Sequence, residues 1–246
     1  GRVLKCFTRF FVQNEESKKL LESIGIHDTM VVGDTRFDRV LQIKEASKQL
    51  PIVERFVKGT PEEPKKVFVA GSSWQPDEEI FLKYFNNHRD WKLIVAPHVI
   101  GEDHLKFIFS LIKDKKVVRY TQATEDNVAD ADVLIIDCFG LLSSVYHYGD
   151  VAYVGGGFGV GIHNVLEAAV WGMPVLFGPN NKHFAEAQGL LQSGGGIEIE
   201  DYETFSLIMS QLSDDSAYYD TCGQEAGAFV QSLAGATKKV LSSVKL

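Results

Sequence analysis

Residues 150–179 read DVAYVGGGFGVGIHNVLEAAVWGMPVLFGP, and the order of residue types in this stretch describes a ligand site in an α/β fold. Residues 151–154 form an apolar run typical of a buried strand, and Gly155, Gly156 and Gly157 follow where such a strand ends. Glycine there permits positive φ and lets a ligand approach main-chain N–H groups without meeting a Cβ. Asn164 is placed to cap a helix over 165–171, which Gly172 and Pro174 terminate, and a second apolar strand begins at Val175. Strand, glycine loop, helix and strand in a parallel sheet put the loop at the carboxyl edge, where ligands bind.

Free N–H groups at that edge favour an anion. Glu167, about one turn inside the helix, can accept hydrogen bonds from a pair of hydroxyls. Anion plus diol suggests a nucleotide. Glycine turns also precede helices in α/β proteins that bind nothing, so the glycines alone leave both readings open; an acidic residue in an otherwise apolar helix favours the site. No G-x-G-x-x-G register fits residues 155–161 and no G-x-x-x-x-G-K-[ST] occurs, which removes support for dinucleotide and P-loop readings.

The surrounding chain is organised as this unit requires. After a boundary expected near Pro61, strands at 66–70, 92–96, 117–120 and 133–136 alternate with helices at 77–86, 102–112 and 140–148. Helices at 184–192 and 202–212 and a long helix from Ala217 onward complete the pattern. Such alternation predicts an α/β, Rossmann-like, doubly wound parallel sheet. Ahead of it, 6–12, 15–24 and 30–32 read as a small β-α-β piece, and 37–57 as one or two helices interrupted at Pro51. Gly71 and Ser72 follow the first strand of the large domain, Pro97 and His98 the second, Gly140 and Leu141 the fourth; in a parallel sheet all share one edge with Gly156 and Gly157. Gly71 and Gly140 also read as ordinary βα-turn glycines. The acidic pair Glu78 and Glu79 reads as favouring a helix N-terminus.

Composition narrows the partners. With 33 acidic and 25 basic residues the formal net charge is -8, which opposes non-specific attraction to nucleic acid and to anionic membranes, so an anionic ligand must be held locally. Three widely spaced cysteines without C-x-x-C argue against a disulfide framework or zinc knuckle and fit a reducing cytosol. His98 and His104 are too far apart for one helical face, His147 and His163 have no acidic or thiol partner at ligand spacing, and nothing resembles H-E-x-x-H, so no metal site is expected. Neither a Ser-His-Asp order nor a nucleophile elbow is present. No apolar run approaches the ~20 residues that span a bilayer. The chain opens at Gly1 rather than Met, inside sequence patterned as structure, and is expected to be a fragment of a longer protein.

Taken together, GSSWQPDEE (71–79), APH (96–98), FGLL (139–142), the stretch quoted first and NNKHFAEA (180–187) closely resemble the C-terminal half of the 3-deoxy-D-manno-octulosonic acid (Kdo) transferases, inverting glycosyltransferases of lipopolysaccharide biosynthesis with the GT-B fold. Residues 13–26 and 31–40 resemble the closing part of that family's N-terminal acceptor domain. The resemblance implies a remnant of that domain over 1–40, linker helices over 41–60 and a CMP-Kdo-binding domain over 61–246. It implies transfer of Kdo from CMP-Kdo to a lipid A precursor at the cytoplasmic face of the bacterial inner membrane, without metal ion or bound cofactor. Gly71, Ser72, Pro97, His98, Gly140, Leu141, Gly156, Gly157, His163, Asn164 and Glu167 would line the donor site.

Two departures stand out. The family often has Pro-Arg-His at 96–98 and Met-Gly-Glu-Leu at 139–142, so a phosphate-facing cation is missing here, with Lys182 a candidate substitute. The family's acidic general base and its membrane-docking surface lie in the N-terminal domain before this chain's start, so no catalytic residue is assigned and the fragment is expected to bind nucleotide without transferring sugar. Rival readings are a UDP-sugar GT-B transferase, a sugar-nucleotide epimerase, or a non-catalytic nucleotide-binding module.

Overall fold

A computed structural model describes residues 3–59, 65–159 and 161–244. The expected boundary at Pro61 lies outside the described residues. After a 3-10 turn (Val3–Cys6), strand β1 (Phe10–Val12), helix α1 (Glu15–Ser23) and strand β2 (Thr29–Val31) form a β-α-β piece with its two strands parallel. The strand expected over 6–12 is thus confined to its last three residues. Asn14 starts α1 by accepting from Ser17 N at 2.8 Å, and Glu15 and Glu16 sit in its first turn, where acidic groups complement the exposed amides. Helices α2 (Thr35–Glu45) and α3 (Pro51–Lys58) follow, α3 opening on the proline that sequence marks as an interruption.

The main domain comprises β3 (Lys66–Ser73), α4 (Gln75–Phe85), β4 (Trp91–Pro97), α5 (Glu102–Leu111), β5 (Val117–Arg119), α6 (Glu125–Val128), β6 (Val133–Ile135), α7 (Leu142–Val145), β7 (Val151–Val154), α8 (Leu166–Ala169), β8 (Val175–Phe177), α9 (Ala185–Ser193), β9 (Gly196–Glu198), α10 (Tyr202–Asp214), α11 (Ser216–Leu233) and α12 (Ala236–Ser243). Sequence patterning missed β9, a three-residue strand that begins with glycine and has no apolar run of its own. The long C-terminal helix is two helices, because Gly235 adopts φ 111 and redirects the chain.

The seven-stranded sheet is parallel throughout, in the order β5-β6-β4-β3-β7-β8-β9. Alternation along β3 divides the core: Val67 and Val69 join Phe37, Val53 and Phe56 of α2 and α3 on one face, while Phe68 joins Phe81, Phe85 and Phe205 on the other. Each such fully buried side chain contributes roughly 1.5–3 kcal/mol relative to exposure. Helix α2 runs across position 40 and packs in the core of the main domain, with Phe37 and Val40 both buried.

Chain order places the site. From β3 the chain works outward through β4 to β5 and β6, then crosses back so that β7, β8 and β9 extend the sheet in the opposite direction. The reversal falls between β3 and β7. In open α/β sheets the crevice outside the carboxyl ends of the strands at such a reversal accepts ligands. At the carboxyl ends of those two strands stand Gly71, Ser72 and Ser73 on one side and Gly155, Gly156 and Gly157, which follow β7, on the other. Sequence patterning put the first three after a strand ending at 70, but they pair with β4 and complete β3.

Candidate functional site

The β3 and β7 exits are pressed together. Gly155 donates its N–H to the Gly71 carbonyl at 2.9 Å, and a Cβ on Gly155 would lie 2.6 Å from Ser73 Cα. Ser72, at a register shift between β3 and β4, holds φ at 52, a left-handed conformation that costs a non-glycine residue about 1–3 kcal/mol. Gly156 has φ 94, and a Cβ on Gly157 would lie 2.6 Å from Gly178 Cα. Gly71 is buried under the Tyr146 hydroxyl, and Pro97 is buried where β4 ends. The glycines therefore serve close backbone crossing, and the Gly156 amide is already engaged by Asp77 Oδ2 at 2.9 Å.

Asp77 organises this crossing. Its carboxylate accepts from Trp74 N at 2.9 Å, from the Tyr153 hydroxyl at 2.7 Å and from Gly156 N, so one side chain of α4 ties both strand exits together. Burial pushes its pKa up despite these three donors. Glu78 is likewise fully buried: His104 Nε2 lies 2.9 Å from both carboxylate oxygens, and Ser73 Oγ donates to it at 2.9 Å. Burial raises its pKa, with His104 opposing. The expected helix-terminal role suits Glu79, which is exposed, but not Glu78. The missed signal was the spacing 78, 81, 82, 85, which puts Glu78 on the buried stripe of α4 with Phe81, Leu82 and Phe85.

Three rings line the mouth. The Trp74 and His163 rings are nearly parallel, at an interplanar angle of 8°, and the indole Nε1 donates to His163 Nε2 at 3.0 Å. His98 stacks across both, with ring centroids 4.7 Å from Trp74 and 4.4 Å from His163. Burial, with His98 alongside, holds the His163 imidazole below the usual histidine pKa. Sequence reasoning singled out both histidines and overlooked Trp74, whose only signal was an aromatic residue standing between a strand end and the Pro76 helix start.

Beyond His163, Asn164 Oδ1 caps the following turn by accepting from Leu166 N at 3.2 Å, and its Nδ2 donates to Glu167 Oε1 at 3.1 Å. The helix expected over 165–171 is a single α turn, α8, prolonged by looser turns to Gly172 at φ 76. So few aligned peptides sum to a weak dipole, and attraction to an anion rests on individual donors. Gly140, at φ 83, is exposed, and Leu141 is half-buried. Leu142 and Tyr146 of the same segment pack onto Gly71 and so bring this loop to the cleft. Lys182 is exposed. Arg119, at the carboxyl end of β5, is paired with Glu102 and Asp137, each at 2.8 Å. Among the described residues no cluster of three or more His, Cys, Asp or Glu is arranged to hold a metal ion, and no helix is long and apolar enough to cross a membrane.

No protein-family model matches the chain. The 3-deoxy-D-manno-octulosonic acid transferase of Rickettsia prowazekii is 26% identical over 221 residues, which cover 87% of this chain and 46% of that protein. A bifunctional glycosyltransferase/methyltransferase of Fusobacterium nucleatum is 30% identical over 227 residues, covering 87% of this chain and 33% of that protein. The chain is a homologue of the Kdo transferases. It spans about half the length of the curated Kdo transferases it matches. Among solved structures, the C-terminal CMP-Kdo binding domain of WaaA from Acinetobacter baumannii is similar with a TM-score of 0.60 at 19% identity, covering 79% of this chain and 97% of that one. The architecture of this Kdo transferase homologue is thus that of a GT-B glycosyltransferase domain, in accord with the expectation from sequence.

Proposed function

We propose that this chain is the donor-binding part of a Kdo transferase and holds CMP-Kdo in the cleft between the β3 and β7 exits. The observation that carries the reading is the Asn164–Glu167 pair at the mouth of that cleft, in a chain homologous to Kdo transferases over 87% of its length. The Glu167 carboxylate, steered by Asn164, accepts the ribose hydroxyls. His98 and His163 face the phosphate. Gly140 and Leu141 meet the base edge, while Ser72, Gly156 and Gly157 shape the floor, with Gly71 and Pro97 supporting it from beneath.

In the complete protein the bond between the Kdo anomeric carbon and the CMP phosphate oxygen breaks and the electron pair leaves with CMP. A hydroxyl oxygen of a lipid A precursor bonds to that carbon, and its proton passes to a carboxylate outside this chain. The cleft's share is to orient the donor and to bind the leaving phosphate. Such a protein would act at the cytoplasmic face of the inner membrane, with this part turned to water.

Calorimetry tests the reading. CMP should bind and UDP should compete poorly; no CMP heat at millimolar ligand overturns the proposal, and preferential UDP binding replaces it with a UDP-sugar enzyme. Sugar transfer by this chain alone would refute the placement of the base outside it.

A further inference from the structure

We propose that Trp74 is a positioning residue of the donor site, which locks His163 in its Nδ1–H tautomer so that a neutral N–H, rather than a cation, faces the ligand phosphate. The inference rests on reading His163 as a ligand contact. Indole Nε1 carries a hydrogen and offers no lone pair, so in a 3.0 Å contact with His163 Nε2 the histidine nitrogen must accept. The two rings are parallel to within 8°, so the indole N–H and the imidazole lone pair, each lying in its own ring plane, run in parallel planes. A neutral imidazole whose Nε2 accepts keeps its single proton on Nδ1.

The surroundings hold this arrangement in place. His98 lies over both rings at 4.7 and 4.4 Å and restricts rotation of either one. Protonating Nε2 would set N–H against N–H and break the contact with Trp74. His163 Nδ1 has no partner among the described residues, and it is not a buried unsatisfied atom, since among them that description applies to Thr29 Oγ1 alone. A donor is therefore left open on the side of His163 away from Trp74. This device suits a chain that has Pro97 where its resembled family often has arginine: orientation of an uncharged donor takes over part of what a cation would supply.

The test is two-bond proton–nitrogen NMR on histidine-labelled protein, with the His163 signals assigned by their loss in His163→Gln. The expected spectrum shows Nδ1 protonated and Nε2 bare. Trp74→Phe keeps a ring against His98 but removes the donor; the His163 signals should move toward the Nε2–H form, and CMP affinity should fall by up to about tenfold, the factor one neutral hydrogen bond commands. A wild-type spectrum with Nε2 protonated overturns the proposal, as does an unchanged tautomer in Trp74→Phe. If that variant fails to fold, the wild-type spectrum decides. Should CMP not bind the wild type, the donor-site reading fails, and with it the ligand role given to His163, while the tautomer result still reports whether Trp74 sets the ring.

Discussion

A methyl group on Gly155 has nowhere to go: its carbon would stand 2.6 Å from Ser73 Cα, with backbone rather than a mobile side chain in the way. Gly155→Ala should therefore destabilise by about 1–3 kcal/mol, the range for overpacking, and weaken CMP binding through the displaced strand exits. Urea unfolding that leaves the midpoint unmoved would contradict this. Glu167→Ala removes a carboxylate already oriented by Asn164; CMP affinity should drop about ten- to a hundredfold, as for a hydrogen bond to a charged group, with the unfolding midpoint nearly unchanged. Equal affinity by calorimetry would favour a non-catalytic module. At this scale the sequence exposed the identities of Gly155, His163, Asn164 and Glu167. It did not expose that Gly155 and Gly157 serve backbone crossings, because Ser72 and Ser73, which Gly155 crosses, stand more than 80 positions away, and Gly178, which Gly157 meets, lies beyond the following helix and strand.

Helix α4 does more for the cleft than its pattern announced. Three donors converge on Asp77, two of them backbone amides, and Asp77→Ala would leave all three unsatisfied in a buried setting. A loss of about 2–4 kcal/mol is expected, along with faster hydrogen exchange at the Gly156 amide. Asp137, at the end of β6, behaves in the opposite sense on titration. Burial acts to raise its pKa, but Thr121 and Arg119 bind the ionised form, and the net direction is below the usual carboxylate value. A depressed carboxyl contributes stability that is present above its unfolded pKa and disappears as pH falls through the folded one. The stability advantage of wild type over Asp137→Asn should therefore be full at neutral pH and shrink below the ordinary aspartate range; an advantage independent of pH would contradict this. Strand and helix existence was legible here because periodicity is local. The inward turn of Asp77 and Glu78 was obscured because charge at a helix start has a simpler solvent-facing explanation.

Across the whole molecule, distant segments close on one another through partly or fully buried polar groups. Asp38 of α2 accepts from Gly235 N at 2.7 Å and Thr237 N at 3.0 Å, capping α12 from almost 200 positions away. Asp38→Ala should release α12, so that its amides exchange faster while those of β3 and β7 do not; uniform exchange across both would count against this. Lys92 lies buried in β4 and donates to the carbonyls of Phe56 at 2.6 Å and Ala131 at 3.1 Å, joining α3 to the loop after α6. Its carbonyl partners explain how a lysine comes to be buried there.

Alternation of apolar strands with helices, and glycines at strand ends, were enough by themselves to determine a parallel α/β sheet with glycines gathered at its carboxyl edge, since hydrophobic period and backbone conformation are properties of neighbours in the chain. Which exits face each other, which amides remain free, and how Trp74 meets His163 were decided only by the tertiary structure. Those relations depend on strand order and on contacts between residues about 80 positions apart, where no local pattern carries information.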